Sequence, residues 1–273
     1  MTFATLLLVA FAGLTPNTDV DRERFLLKAK VMETRPAPGG TTKSRRATLS
    51  DGAFSHDAHI QQIRREKARE FNLAAISRNF IDSWSGNVAA YRLDRLLGLN
   101  MTPVSVGRRV AGVTGAVTWW VDDVLMPVSN LSKSGLKPPN PEDWQRRNDM
   151  MRLFGALISN PDRNSNNMLI TTEWELMLID HTRAFRWNEE LEHPQRVRRC
   201  DRQVFAALKA LNRKQVNRSL AGLLAGFQID ALLVRRDAIV TRLEQLIEIH
   251  GEDEILFDRL SPAPAVAGVL PLN

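Results

Sequence analysis

The sequence predicts an α+β chain of two lobes, in which an N-terminal antiparallel sheet plus one helix precedes a mainly helical C-terminal lobe. Two patterns predict this fold class. Short strand-like runs separated by glycine-containing turns fill the first part, and segments with helical periodicity fill most of the second. The predicted divisions are an apolar N-terminal segment at 1–20, a first lobe at 21–126, a Ser/Lys/Gly/Pro-rich linker at 127–141, a second lobe at 142–260 and a flexible tail at 261–273.

The first lobe is predicted to begin with three strands. An apolar segment at 25–31 leads into a first strand, which ends at the Pro/Gly-containing turn 36–40. A second strand is expected at 47–49. The Asp51-Gly52 pair after it is a strong hairpin signal, so a third strand is expected over 55–61.

One helix and one hairpin complete the first lobe. Residues 87–97 carry apolar side chains at helical spacing, and Gly98 stands where a helix stop is expected. The runs 104–110 and 116–121 are rich in β-branched residues and flank a glycine-containing turn, which predicts a hairpin.

The second lobe is predicted to open with a helix. Asn140 is a favoured N-cap, Pro141 suits the first helical position, and Glu142 and Asp143 interact favourably with the helix dipole. This helix leads directly into a polar loop that holds Asp162. Further helices are predicted near 203–211, 215–224 and 229–250.

Composition limits the class of partner. The net charge of +6 suits an anionic partner such as a polyphosphate nucleotide, but the basic residues are interspersed with acidic ones. No zinc-ligand or nucleic-acid motif accompanies the charge, so no specific nucleic-acid partner is expected. Cys200 is the single cysteine, which excludes an intrachain disulfide.

The segment 3–14 is apolar except for Thr5 and is too short to span a bilayer. Its length suits the apolar region of a signal peptide, although no Lys or Arg precedes it. A short buried helix is the alternative. Both a cytoplasmic and an exported protein are therefore compatible with the sequence, and no transmembrane span is expected.

Two carboxylates come to the same end of one predicted hairpin. Asp162 lies in a polar loop, strands follow at 168–170 and 176–179, and Asp180 ends the second strand. Phosphoryl transfer from ATP needs one acidic group that orients an acceptor hydroxyl, and a carboxylate with an amide oxygen that holds Mg²⁺ on the phosphates. Asp162 suits the first role, and Asn167 with Asp180 suits the second. Asn, Asp and Ser also favour loops, so a plain hairpin loop is the alternative.

The motif around these residues resembles two kinase families. It is similar to the D-R-H-x-x-N … I-D-F-G pattern of phosphatidylinositol 3- and 4-kinases and to the N-x-D-R-H … L-D-N-G-R-G-F pattern of the secreted Golgi casein kinase family. The matching positions are Asp162, Arg163, Asn167, Asp180, Arg183 and Phe185. The sequence departs from the families at Asn164, where they have His, and at His181, where they have Phe or Asn.

A second segment extends the resemblance to the Golgi casein kinase family. The sequence N-V-A-A-Y-R-L-D-R-L-L, followed by M-T-P-V-S-V-G-R-R-V, is similar to the family's E-I-A-A-F-H-L-D-R-I-L and V-P-P-V-x-G-R-x-V. In the family, a glutamate at the start of the helix pairs with a lysine on the third strand. Asn87 and Gln61 take these two places here. These neutral side chains could form an amide–amide hydrogen bond.

The resemblance implies a two-lobed protein-kinase-like fold, in a bacterial-type relative of these atypical kinases. It implies an ATP-dependent phosphotransferase that acts on a hydroxyl of a protein, lipid or small molecule, with Asp162 and Arg163 in catalysis. Asn167 and Asp180 would bind Mg²⁺ or Mn²⁺. The nucleotide-binding candidates are Gly39 and Gly40 over the phosphates, Lys43 in place of the missing lysine, Gln61, Asn87, and the hinge residues Trp120 and Val121.

Other functions stay open from the sequence alone. The neutral residues Gln61 and Asn87 favour a nucleotide-binding pseudokinase or scaffold as the alternative to an active enzyme. Transfer of AMP is a third hypothesis, and a basic helical binding protein without a nucleotide is a fourth.

Overall fold

The computed structural model describes residues 15–37, 44–66, 81–160 and 163–258. These residues form an antiparallel first lobe and a mainly helical second lobe, as the sequence predicts. The strands are β1 (Lys30–Pro36), β2 (Arg45–Ser50), β3 (Ser55–Gln61), β4 (Arg64–Glu66), β5 (Ile81–Ser83), β6 (Ser105–Val110), β7 (Val113–Trp119), β8 (Val124–Pro127), β9 (Met168–Thr171), β10 (Leu176–Leu178), β11 (Cys200–Asp201) and β12 (Leu256–Phe257).

The described helices are numbered in chain order. They are α1 (Asp19–Lys28), α2 (Ser85–Leu97), α3 (Val128–Ser134), α4 (Pro141–Leu157), α5 (Arg202–Ala210), α6 (Arg213–Leu220), α7 (Gly226–His250) and α8 (Glu252–Ile255). No helix in the described ranges is both long and apolar enough to cross a membrane.

Five antiparallel strands form the sheet of the first lobe, in the order β1-β2-β3-β7-β6. The third strand has the predicted bounds, and β6 with β7 forms the predicted hairpin. One face of the sheet buries Leu49, Ala58, Ile60 and Val117 in a core that α1 and α2 complete. Because side chains alternate along a strand, the residues between these buried positions lie on the opposite face.

The helix α1 occupies residues that the sequence analysis treated as the approach to the first strand. Thr18 caps it, since its hydroxyl oxygen accepts the N–H of Asp21. Asp19 and Asp21 lie in the first turn, where negative charge is favourable. Phe25 and Leu26 are buried against the sheet. The described first lobe therefore contains a helix in addition to the predicted one.

The predicted helix α2 packs against both lobes. It ends at Gly98, whose left-handed conformation (φ +70°) costs glycine little. Tyr91 belongs to the core of the first lobe. The buried residues of α2 that belong to the core of the second lobe are Ala89, Ala90, Leu93 and Leu97.

The chain passes from the first lobe to the second over residues 120–123. The next strand, β8, is already part of the second lobe, because it pairs with β9 in a three-stranded sheet of order β10-β9-β8. The helix α3 lies within the segment that was predicted as a linker. As predicted, α4 follows an Asn140 cap, whose side chain accepts the N–H groups of Glu142 and Asp143.

The second lobe is built around α4 and α7. Its core includes Leu153 and Phe154 of α4, Leu208 of α5, and Leu232 and Leu243 of α7, all fully buried. The three C-terminal helices predicted from periodicity are α5, α6 and α7. The C-terminal end of α4 and the β9–β10 hairpin pack against this core through Leu157, Leu176 and Leu178.

Candidate active site

The β9–β10 hairpin brings Asn167 and Asp180 to one end of a short sheet. Asn167 ends a 3-10 turn, and its carbonyl accepts the N–H of Ile179 at 3.0 Å. Met168 pairs with Leu178, so the two candidate metal ligands lie just beyond the paired residues. Asp180 is exposed, and its Oδ1 accepts a hydrogen bond from the Thr182 hydroxyl at 3.0 Å. A carboxylate and an amide are the oxygen donors that a small divalent cation prefers.

Arg163 connects the polar loop to the strand that carries Asp180. Its Nη1 donates to the carbonyl of Asn167 at 3.0 Å and to that of Ile179 at 2.8 Å. Its Nη2 lies 2.8 Å from Nδ1 of His181. Through these bonds the guanidinium group holds the backbone on both sides of the site. Arg163 therefore fixes the geometry of the loop.

His181 is buried beneath this arginine. Because Arg163 can only donate, Nδ1 of His181 is the acceptor, and Nε2 carries the proton toward the carbonyl of Leu178 at 3.2 Å. Burial, and then the charge of Arg163, hold the pKa of His181 well below its usual value of 6.5. His181 is therefore neutral in the folded protein at neutral pH.

A neutral buried histidine makes folding sensitive to acid. The unfolded chain binds a proton near pH 6.5 and the folded chain does not, so stability is present above that pH and is lost below it. We expect this residue to cost up to about 1.4 kcal/mol of unfolding free energy between pH 7.5 and 5.5. His181→Asn should reduce the acid dependence by that amount in denaturant titrations of the metal-free protein. An unchanged dependence would contradict a neutral His181.

Three non-glycine residues at the end of α4 and in the segment after β10 have left-handed backbone conformations. They are Ser159 (φ +43°), Asp180 (φ +54°) and Phe185 (φ +61°), and the N–H of Phe185 donates to the carbonyl of Ile158 at 2.6 Å. Such conformations cost about 1–3 kcal/mol each and persist only where neighbours hold them. Gln228 of α7 contributes, since its Nε2 donates to the carbonyl of Phe185 at 2.7 Å. Contacts from the end of α4 and from α7 therefore hold the backbone of Phe185 in this conformation.

The opposite wall of the site is the cleft face of the first-lobe sheet, defined by Arg46, His59, Gln61 and Thr118. Arg46, His59 and Thr118 are direct neighbours across β2, β3 and β7, and Gln61 is two residues along β3 from His59. Burial lowers the pKa of His59, and the negative charge of Asp180 opposes this shift. His59 of the cleft face therefore lies near enough to Asp180 for the charge of this carboxylate to affect it.

Gln61 and Asn87 occupy the positions of the expected ion pair and are both buried. The Oε1 of Gln61 accepts the N–H of Ile63 at 3.1 Å, and the Oδ1 of Asn87 accepts the N–H of His181 at 2.7 Å. Backbone donors thus engage both amide oxygens, in place of the amide–amide bond that the sequence suggested.

The two adjacent tryptophans, Trp119 and Trp120, have different surroundings. Trp119 stacks on His56, with ring centroids 3.7 Å apart, and contacts Phe25 in the core of the first lobe. Trp120 lies under the guanidinium of Arg46 at 4.1 Å, and its N–H donates to the carbonyl of Asp57 at 3.2 Å. The half-buried Val121 follows in the crossing between the lobes.

Four of the predicted site residues, Gly39, Gly40, Lys43 and Asp162, lie outside the described residues. His59 and Thr182 lie at the site but are not among the residues predicted from the sequence. The period-two alternation of β3 could have found His59, because it places this residue on the same face as Gln61. The Asp180–Thr182 bond has no comparable pattern in the sequence.

Comparisons with known proteins identify the fold. No family model matches the sequence, and no curated protein matches it. A hydra Fam20 structure solved with sugar has a TM-score of 0.65 at 15% identity, over 93% of this chain and 97% of that chain. The Golgi casein kinase with Mn/ADP bound has a TM-score of 0.63 at 15% identity, over 88% of this chain and 80% of that chain.

A further structure of the Golgi casein kinase has a TM-score of 0.61 at 14% identity, over 89% of this chain and 80% of that chain. At these identities the likeness concerns the fold. It confirms the two-lobed kinase-like fold that the motifs around Asn87 and Asp180 implied. The chain thus has an atypical kinase fold similar to those of Fam20 and the Golgi casein kinase.

Proposed function

We propose that this protein is an ATP-dependent phosphotransferase that transfers a phosphoryl group to a hydroxyl. The observation that carries the proposal is the position of Asn167 and Asp180 at one end of the β9–β10 hairpin, with Asp180 near enough to His59 for its charge to affect that residue. The kinase-like fold supports it, because the same fold in the Golgi casein kinase was solved with Mn/ADP bound.

Asn167 and Asp180 would hold Mg²⁺ or Mn²⁺ together with the nucleotide phosphates. The fit is good, because magnesium is commonly bound by one or two carboxylates plus phosphate oxygens, without a complete protein cage. Asp180 is exposed, and the Thr182 hydroxyl fixes one of its oxygens. When bound, the metal would neutralise charge that develops on the phosphates.

The protein side chains would orient the two substrates. Asp162 would accept a hydrogen bond from the acceptor hydroxyl and align it with the terminal phosphorus. Arg163 would keep the loop of Asp162 and Asn167 at a fixed position relative to Asp180, through its bonds to the backbone on both sides. Transfer would then depend mainly on positioning, as in other phosphoryl-transfer sites.

The nucleotide would lie between the cleft face and the hairpin. Because the N–H of Trp120 is bonded to Asp57, contact with the base would come from Val121 and from the Trp120 ring. Gly39 and Gly40 would lie over the phosphates, with Gln61 and Asn87 at the inner end of the site. Lys43 would supply the positive charge that Gln61 lacks.

A nucleotide-binding pseudokinase is the second candidate. The specific observation in its favour is that Gln61 is buried and neutral and that the Asn87 amide is already bonded to His181. Such a protein would bind the metal–nucleotide complex without turning it over. Binding and turnover therefore need separate measurements.

The proposal is tested by thermal unfolding with ADP and Mn²⁺. A ligand at about 100 times its dissociation constant should add about 2.7 kcal/mol of stability. We expect stabilisation by ADP with Mn²⁺ and much less by ADP with a chelator. The absence of stabilisation by ADP or ATP with either Mn²⁺ or Mg²⁺ would contradict both the kinase and the pseudokinase.

A further inference from the structure

The first turn of α2 lies directly on the backbone that follows Asp180. Oδ1 of Asn87 accepts the N–H of His181 at 2.7 Å. The exposed fractions are 7% for Asn87 and 3% for His181, so this bond is shielded from water. The His181 N–H belongs to the peptide group that joins His181 to Asp180. Asn87 therefore fixes the peptide plane on which the orientation of Asp180 depends.

Gly86 makes this close approach possible. A Cβ atom at position 86 would lie 2.3 Å from the carbonyl oxygen of His181 and 3.2 Å from its carbonyl carbon. Real side chains do not approach backbone atoms so closely, so any residue other than glycine would push α2 and the Asp180 segment apart. The contact is with the same residue that Asn87 binds.

Two further contacts join the residues before α2 to the same segment. The N–H of Ser83 donates to the carbonyl of Thr182 at 2.8 Å. Arg183 is paired with the buried Asp82, with Nε and Oδ2 3.7 Å apart. Residues 82–87 thus lie alongside residues 181–183 in the folded chain.

The helix that carries Asn87 is itself fixed by packing against both lobes. Leu93 and Leu97 are buried in the core of the second lobe, and Tyr91 is buried in that of the first. Nη1 of Arg92 also donates to the carbonyl of Ser219 at 2.9 Å. The position of α2 therefore does not depend on a charge pair with β3.

From these contacts we infer that Gly86 and Asn87 are positioning residues for Asp180. They connect α2 to the site by contacting the segment that carries Asp180. The inference rests on the proposed function for the identity of the ligand held by Asp180. It implies that a glutamate at position 87 would harm the site, because its carboxylate extends one methylene further and would not accept the His181 N–H at the same place.

The test compares Asn87→Ala, Asn87→Asp and Asn87→Glu with the wild-type chain. Asn87→Ala removes the acceptor oxygen, and Asn87→Asp keeps one at the same reach. Asn148→Ala is the matched control, because it also deletes an asparagine amide that is hydrogen-bonded to the backbone, here by donating to the carbonyl of Trp144 within α4. Amide hydrogen exchange at His181 is measured in the metal-free protein, and calorimetry gives the affinity for ADP with Mn²⁺ and with a chelator.

We expect Asn87→Ala to speed exchange at His181 and to weaken Mn²⁺–ADP binding by about tenfold or more, with a smaller effect on ADP alone. Asn87→Asp should restore most of the protection of the His181 amide and most of the affinity for Mn²⁺–ADP. Asn87→Glu should restore neither, even when it is combined with Gln61→Lys. Asn148→Ala should lower stability without changing the metal-dependent part of the affinity. If Asn87→Ala does not fold, Asn87→Ser takes its place.

Two results would overturn the inference. One is exchange and Mn²⁺–ADP affinity in Asn87→Ala that equal those of the wild type. The other is an equal loss of ADP affinity with and without metal, with no recovery in Asn87→Asp, which would indicate a general structural role. A wild-type chain that binds no ADP with Mn²⁺ would instead contradict the proposed function, and with it the role assigned to Asn87.

Discussion

Asp180→Ala is expected to abolish metal-dependent nucleotide binding, whereas Asp162→Ala should spare it. Loss of residues that merely support metal ligands costs 10–100-fold in metal affinity, so loss of a ligand should cost about 100-fold or more. Removal of a group that orients the acceptor should instead lower turnover, by about 10²–10⁴-fold. The measurements are calorimetry with Mn²⁺–ADP for both variants and phosphate transfer for Asp162→Ala.

The control for this pair is Asp237→Ala, which removes an exposed carboxylate on α7. It should bind Mn²⁺–ADP as the wild type does. Equal loss of binding in Asp162→Ala and Asp180→Ala would show that the two roles are wrongly assigned. Retained turnover in Asp162→Ala would remove this residue from catalysis.

Among the single substitutions proposed for this protein, Arg235→Leu is expected to lower the free energy of unfolding most. Arg235 is fully buried in α7, and its guanidinium donates to the carbonyls of Leu157, Arg186 and Asn188. Burial lowers the pKa of Arg235 to about 10, and the charge of Glu192 opposes the shift. The residue is still protonated at neutral pH, so the three carbonyls have a charged donor.

The leucine variant would leave three carbonyl groups without this donor. A buried carbonyl left without its donor costs about 1–3 kcal/mol, so three of them should cost about 3 kcal/mol or more, a large share of the 5–15 kcal/mol typical of a folded domain. Chemical unfolding measures the change. Arg218→Leu, an exposed substitution on α6, should change stability by less than about 0.5 kcal/mol. If Arg235→Leu lowers the free energy of unfolding by less than about 1 kcal/mol, the bonds of Arg235 to the three carbonyls do not stabilise the fold as proposed.

Local patterns predicted the elements that carry the site. The β3 strand follows from the Asp51-Gly52 hairpin signal, α2 with its Gly98 stop from helical spacing, and α4 with its Asn140 cap from capping chemistry. The placement of Asn167 and Asp180 at one end of a hairpin follows from strand pairing. These features depend on neighbouring residues, so a single sequence contains them.

Contacts between distant residues could not be predicted in this way. The Asn87–His181 bond joins residues 94 positions apart, and the contact of Gly86 with the His181 carbonyl depends on how α2 packs between the lobes. The left-handed conformation of Asp180 is likewise imposed by its tertiary surroundings, since the residue type alone does not require it. Helical spacing of apolar residues does not indicate α1, because the first half of the helix is highly charged and its buried residues are the adjacent pair Phe25 and Leu26.

The most direct test of the proposed function is a crystal structure of the complex with Mn²⁺ and ADP. We expect the nucleotide between the cleft face and the β9–β10 hairpin, with the metal bound by the carboxylate of Asp180, the amide oxygen of Asn167 and phosphate oxygens. A metal–nucleotide complex bound without contact to either Asp180 or Asn167, or a cleft that stays empty at saturating Mn²⁺ and ADP, would contradict it.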